Sequence, residues 1–371
     1  MRTVSQPLLS LSVLFVLSVG TSVIGQETVG YYRFPAIHGD TVVFTAEGDL
    51  WRVPLTGGTA SRLTTHSEVE SHAKFSPNGQ TIAFAASYEG PVEIYTMPAT
   101  GGRPQRVTYE GYTARRPPYP VSWKSGSELL YGTRYYARRD PPQIASVNIP
   151  SGERSVVPLE QASDGVYSPD GRSFYFTRLP RQSSHAKRYR GGYVENLWSW
   201  EIDAEEAKPL TANYDGTSRS PMLWNDRLYF ASDRDGTMNL WSMSTAGADW
   251  KQHTRFKDFD VLSPDLHNGR IVFQRGADLW LYEVEEDETS VIPIRLTTDF
   301  DQKRTRWIKN PIDYLTDYNI SADGKHVAVT VRGRGFVASV KPGRLVTLPQ
   351  KPGTRFRSVA FLPSTRDVYY L

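Results

Sequence analysis

The sequence predicts an all-β fold: a six-bladed β-propeller of four-stranded antiparallel blades, followed by the incomplete start of a second propeller. Three observations predict it. From Gly30 onward there is no convincing amphipathic helix, and short strand-like runs alternate with Gly, Pro, Asp and Asn. An apolar triplet recurs as Val42-Val43-Phe44, Ile82-Ala83-Phe84, Leu129-Leu130-Tyr131, Phe174-Tyr175-Phe176, Leu228-Tyr229-Phe230 and Ile271-Val272-Phe273. The first residues of these triplets are 40, 47, 45, 54 and 43 apart, a period that marks propeller blades. Finally, the same marks surround each triplet.

The elements follow in order. Residues 1–25 carry one charge, Arg2, then an apolar run after Pro7 that is rich in Ser and Gly. This is the pattern of a secretory signal cleaved near Gly25–Gln26. The alternative is an uncleaved anchor, since Leu8–Gly25 is 18 residues long. Residues 26–309 hold the six blades. In each, a first strand enters a turn such as Phe75-Ser-Pro-Asn-Gly79 or Tyr167-Ser-Pro-Asp-Gly171, where Pro and Gly set the dihedrals. The triplet is the second strand. A third carries an aromatic, as in Asp49-Leu50-Trp51, Glu93-Ile94-Tyr95 and Asn239-Leu240-Trp241. A fourth ends in Leu-Thr or similar, as in Arg62-Leu63-Thr64 and Arg106-Val107-Thr108. Blade three, Pro120 to Leu159, lacks the aromatic. Blade six is expected to own its outer strand, Val291–Thr297, so that the ring borrows no strand and the first and last blades meet by apolar packing alone. Residues 310–371 restart the pattern, with strands at Tyr314–Ser321, His326–Val331, Phe336–Val340, Arg344–Leu348, Phe356–Phe361 and Val368–Leu371. A blade needs neighbours on both faces, so this reads as one and a third blades of a second propeller, in a chain that is the N-terminal piece of a larger design.

Composition narrows the function. The 371 residues are 39% hydrophobic and 12% aromatic, enough for a sizeable core. Lys plus Arg total 43 against 40 Asp plus Glu, too even a balance to indicate nucleic acid or an anionic membrane as partner. With no cysteine there is no disulfide, thiolate metal site or Cys nucleophile.

The turn-plus-strand unit resembles the PD40-type propeller repeat of TolB and of propeller-bearing peptidases. The stretches GYYRFPAIHGDTVVFTAEGDLWRVPLTGG, RLTTHSEVESHAKFSPNGQTIAF and RQSSHAKRYRGGYVENLWSWEID resemble the tricorn protease family more closely, and the resemblance covers Val29–Leu371. It implies a serine peptidase that degrades oligopeptides, built from homo-oligomerising subunits. It also implies that the catalytic Ser and His lie in later domains, so no catalytic residue is assigned and this chain alone is expected to be inactive. An exported location, periplasmic or secreted, follows from the N-terminal segment. Many family members are cytoplasmic, and that is the alternative if the segment is not a signal. The competing function is a TolB-like, non-catalytic protein-binding propeller.

Other chemistry is not legible. There is no G-x-S-x-G elbow, H-E-x-x-H, P-loop or dinucleotide Gly pattern. His66 and His72 flank Glu68 and Glu70 but read as a solvated polar loop, and Ser232-Asp-Arg-Asp-Gly236 has too few oxygens for calcium. No metal and no cofactor is expected. One cluster stands out. Arg115-Arg116 fall in the crossing from blade two to three, Arg138-Arg139 in a turn of blade three, and Arg181, Lys187, Arg188 and Arg190 in the long insert of blade four. By topology all of them share one face of the disc. Solvated basic loops are the plain reading. The functional reading is a receptor for carboxylates, since Arg presents a planar fork that matches two oxygens. The family resemblance implies a basic pair that anchors a peptide's C-terminal carboxylate. Arg138-Arg139 is the first choice and Arg115-Arg116 the alternative. The aromatic residues of the third strands recur once per blade and read as packing between blades rather than a ligand site.

Limited tryptic digestion is expected to cut first between Lys303 and Lys351, where Arg and Lys are frequent, and to leave a resistant core near residues 26–309. First cuts inside the six repeats would contradict this division.

Overall fold

The computed structural model describes residues 30–111, 117–136, 142–179, 189–298, 308, 310–351, 353–363, 365 and 367–371. No α-helix occurs among them, and no helix there is long and apolar enough to cross a membrane. Packing divides the chain into two units, Met1–Gln302 and Lys303–Leu371.

The first unit holds six antiparallel sheets. Blade one is β1 (Arg33–His38), β2 (Thr41–Ala46), β3 (Asp49–Pro54) and β4 (Gly58–Arg62). Blade two is β5 (Glu70–Phe75), β6 (Thr81–Ala86), β7 (Glu93–Pro98) and β8 (Gln105–Arg106). Blade three is β9 (Tyr119–Trp123), β10 (Glu128–Thr133), β11 (Gln143–Asn148) and β12 (Arg154–Val156). Blade four is β13 (Ala162–Tyr167), β14 (Ser173–Arg178), β15 (Asn196–Glu201) and β16 (Lys208–Pro209). Blade five is β17 (Ser218–Trp224), β18 (Arg227–Ser232), β19 (Asn239–Ser244) and β20 (Lys251–Gln252). Blade six is β21 (Val261–His267), β22 (Arg270–Arg275), β23 (Asp278–Glu283) and β24 (Glu288–Val291).

The triplets are the second strands, and all are buried. Side chains alternate across a strand, so the middle residue of a triplet faces one neighbouring blade and the outer two face the other. The apolar clusters follow this rule. Val43 of blade one packs with Ile82 and Phe84 of blade two, and Ala83 packs with Leu129 and Tyr131. Leu130 then meets Phe174 and Phe176, Tyr175 meets Leu228 and Phe230, and Tyr229 meets Ile271 and Phe273. Val272 of blade six joins the cluster of Val42, Phe44 and Trp51 in blade one. The third-strand aromatics belong to the same packing: Trp51 and Tyr95 are buried, while Trp198, Trp241 and Trp280 are half-buried.

Two short motifs recur, one in blades two and four and in the second unit, the other in blades one, two, four and five. In the turn Ser76-Pro-Asn-Gly79, the Ser76 hydroxyl donates to Asn78 Oδ1 at 2.8 Å and accepts from Thr81 N at 3.0 Å. Gly79 supplies the positive φ of +70°. Ser168 with Asp170, and Ser321 with Asp323, repeat the arrangement. The second motif ties the outer strand to the third. Thr64, Thr108, Thr211 and Thr254 each accept through Oγ1 from a backbone N–H of the third strand, at 2.8, 2.8, 3.0 and 2.8 Å from Leu50, Ile94, Leu197 and Leu240. In three blades the same hydroxyl donates to the residue that begins that strand: Glu93 at 2.6 Å, Asn196 at 3.2 Å and Asn239 at 2.8 Å. In blade one it donates instead to Glu70 of blade two at 3.1 Å. Arg62 and Arg106, just before the threonines, pair with Asp49 and Glu93.

One expectation is corrected. The outer strand of blade six is Glu288–Val291, and the chain then leaves that sheet. Pro293 has no N–H to continue the ladder with β23. The next strand, β25 (Ile294–Leu296), lies parallel to β4, with Ile294 opposite Gly58 and Leu296 opposite Ala60. Gly57 makes this approach feasible, because a Cβ there would lie 2.5 Å from the Pro293 carbonyl oxygen. Blade one therefore gains a fifth strand from the far end of the unit, in addition to the apolar seam.

The second unit opens with a 3₁₀ turn, Pro311–Tyr314, and one sheet of β26 (Leu315–Ile320), β27 (His326–Val331), β28 (Arg334–Ser339) and β29 (Leu345–Thr347). The hairpin β30 (Val359–Phe361) and β31 (Val368–Tyr370) follows. Within this unit Ala328, the middle residue of its triplet, is buried, whereas Val327 and Val329 are half-buried.

Thr254→Val keeps the shape of the side chain but leaves the buried Leu240 N–H without its acceptor. It is expected to lower unfolding free energy by about 1–3 kcal/mol, read as a lower urea midpoint. An unchanged midpoint would show that the hydroxyl clasp is dispensable.

Candidate functional site

The inner strands of all six blades surround an axial cavity of about 220 Å³. Each inner strand slips register where it reaches the cavity, as between Arg33 and Ala36, Ser71 and Lys74, and Leu262 and Asp265. These are β-bulges, which turn a strand and re-aim its side chains. At four of them a non-glycine residue takes positive φ: Phe34 (51°), His72 (57°), Ser220 (58°) and Ser263 (47°). Pro35, Pro221 and Pro264 directly follow three of these. A proline is tolerated there because a bulge frees the strand from ladder bonding.

The cavity wall is largely apolar, and its charged groups include two ion pairs. Lys74 Nζ lies 2.5 Å from Asp265 Oδ1, and Asp265 Oδ2 accepts from Ile37 N at 2.8 Å. Arg219 lies 3.4 Å from the buried Glu195, and the Ser220 hydroxyl donates to Asp164 at 3.4 Å. On one side three rings from successive blades form a ladder. Phe34 stacks on His72 at 3.9 Å between centroids, and His72 lies 6.0 Å from Tyr119. The Tyr119 hydroxyl donates to Ser163 O, fixing that ring.

Most of the basic residues expected from the sequence, Arg115, Arg116, Arg138, Arg139, Arg181, Lys187 and Arg188, lie outside the described residues. Arg190 is described. It is exposed, pairs with Asp215 at 3.0 Å, and joins Arg234 and Tyr214 around a small cavity of about 80 Å³. The loop of His66, Glu68, Glu70 and His72 is not wholly solvated: Glu70 is fully buried and His72 faces the axis. No group of three or more metal-ligating side chains occurs among the described residues. In the calcium-like loop, Asp233 accepts from Tyr214 and Thr217, and Asp235 from Asn239, Gln252 and Lys257.

Sequence reading missed one constellation. Ser242 Oγ lies 2.6 Å from His253 Nε2, and His253 Nδ1 lies 2.6 Å from the Tyr282 hydroxyl and 3.6 Å from Asp287. The connectivity is that of a nucleophile–base–acid relay. Its surroundings are not. Ser242 and His253 are buried, and Arg227 Nε donates to the same serine oxygen at 2.7 Å, where a substrate carbonyl would have to approach. The relay is a cross-link between blades five and six. Its members are far apart in sequence and no motif announces them.

A family model described as the Tricorn protease N-terminal beta propeller domain matches residues 29–288. A tricorn protease homolog of Saccharolobus solfataricus is 29% identical over 90% of this chain and 31% of its own length. The crystal structure of the tricorn protease superposes with TM-score 0.73 at 24% identity, covering 89% of this chain and 32% of that one. A structure described as a TolB from Agrobacterium tumefaciens gives TM-score 0.50 at 19% identity, covering 71% of this chain and 91% of that one. The chain thus spans about a third of the length of this Saccharolobus relative.

Two buried groups give the first unit opposing pH dependences. Burial beside Asp49 pushes Glu70 up to about 8 from its ordinary 4.5, so the folded chain holds a proton there that unfolding releases. Its contribution is full below pH 4.5 and is lost as pH rises toward 8. Burial also pulls His253 down to about 4 from 6.5, so its contribution is full above pH 6.5 and is lost as pH falls toward 4. Urea midpoints of the parent chain should therefore fall between pH 6.5 and 8, while Glu70→Gln should be nearly flat there. Parallel curves for the two would refute the assignment to Glu70.

Proposed function

Because the chain belongs to the Tricorn protease N-terminal beta propeller domain family, we propose that it is the peptide-handling propeller of an exported serine peptidase that degrades oligopeptides. On this reading it admits or gates peptides and does not cut them. The observation that carries it is the axial cavity. Six inner strands contribute to it, its volume of about 220 Å³ suits an extended chain or short peptide rather than a folded protein, and its wall mixes apolar side chains with polar groups that can meet a peptide backbone. Arg138 and Arg139, or Arg115 and Arg116, would anchor a C-terminal carboxylate. Export rests on the N-terminal segment, and a subunit assembly rests on the family.

A second reading is supported by the surface. Tyr31, Val69, Tyr109, Tyr135, Tyr193 and Phe259 are exposed large apolar side chains, and all fall in the crossings and turns of one face of the disc. Such a face suits a TolB-like scaffold that binds folded proteins.

Short peptides with a free C-terminus are expected to bind, and their C-terminal amides to bind more weakly. Arg138→Ala with Arg139→Ala should erase the difference while leaving the circular dichroism unchanged. Fluorogenic peptides should not be hydrolysed. Equal binding of acid and amide removes the carboxylate receptor. Binding of neither favours the scaffold. Turnover abolished by one Ser substitution in this chain overturns the non-catalytic reading.

A further inference from the structure

A second cavity of about 470 Å³ opens between blades two and three, within the range of roughly 300–1,000 Å³ typical of ligand pockets. Most of its lining is apolar, from Val69, Ala85, Val92, Pro117, Pro118 and Pro142, while Ser71, Ser87, Thr133 and Arg134 add polar groups. His72 and Tyr119 line both this cavity and the axial one, so the two share a wall of aromatic rings. That wall is held in place from several sides. His72 sits at positive φ, stacks on Phe34 and touches Ser71 Oγ at 3.0 Å. Tyr119 is fixed through its hydroxyl, and its ring occupies space that any Cβ at Gly132 would invade at 2.4 Å. Strained backbone at Phe34 and His72, whose rings both face the axial cavity, is the kind of outlier that points to function.

The two cavities differ in chemistry. The axis carries Lys74 and Arg219 against Asp164, Glu195 and Asp265, one more carboxylate than cation. An anionic ligand is disfavoured there. A wholly apolar ligand would fill the groove and leave the axial charges unused. A peptide uses both: polar backbone on the axis and one large side chain in the groove.

We propose that the groove between blades two and three, with His72 and Tyr119 as its inner wall, is a side-chain pocket that selects peptides carrying a large apolar or aromatic residue. This rests on the peptide-handling reading and adds a specificity to it. The test compares Gly-Phe-Gly with Gly-Gly-Gly by NMR titration of the whole chain, so that the termini are identical. Burying one aromatic side chain should tighten binding about ten-fold or more. Val69→Trp and Val92→Trp fill the groove from its rim, where Val69 is 53% exposed and substitution need not disturb the core. Each should bring Gly-Phe-Gly back to the affinity of Gly-Gly-Gly and leave Gly-Gly-Gly unchanged. Equal binding of the two peptides to the parent chain, or a Phe preference that survives both variants, overturns the pocket while peptide handling stands. Binding of neither peptide overturns both.

Discussion

The alternation of side chains along the second strand is the constraint on which the rest of the first unit depends. A triplet of apolar residues in a central strand must present its middle member to one side and its outer members to the other. Every triplet in the first unit does this in the same sense, and the sixth passes the pattern back to the first. Each fully buried member contributes about 1.5–3 kcal/mol relative to exposure. A one-residue slip in any second strand would turn its outward pair toward the wrong blade and remove both seams at once.

Hydrogen bonding then fixes what burial leaves loose. The outer strands of blades two, four and five are two residues long, too short to hold themselves by ladder bonds. The threonine clasp compensates. It also reaches further, because Glu93 accepts from the backbone of Glu110 and Gly111, and Asn239 from that of Phe256. The residue that opens the third strand therefore orders the crossing to the next blade. This is the physical content of the recurrent acid-or-amide, aromatic and Leu-Thr marks, and it explains why the repeat was legible from the sequence.

The site was less legible for a related reason. Propeller repeats advertise what every blade shares, while an axial cavity is made of what each blade does differently. Lys74 and Asp265 are 191 residues apart, and Phe34, His72 and Tyr119 come from three repeats. Proline inside an inner strand, at positions 35, 120, 221 and 264, was the available signal, because it marks the bulges that aim these residues inward. The basic cluster drew attention instead because its charges lie close together in sequence. After blade six the mark of the change of sheet is Pro293, which stops one ladder and lets the next strand begin.

The parallel pairing of Ile294–Leu296 with Gly58–Ala60 has a consequence for how the chain is made. Arg295 reaches Thr59 across 236 residues. At ribosomal speeds of about 5–20 residues per second, that interval lasts on the order of ten to fifty seconds. Throughout it the first blade to emerge has an unpaired outer edge and an uncovered face at Val42 and Phe44. Nascent blade one thus leaves an apolar face and a strand edge uncovered for longer than any later blade of the first unit.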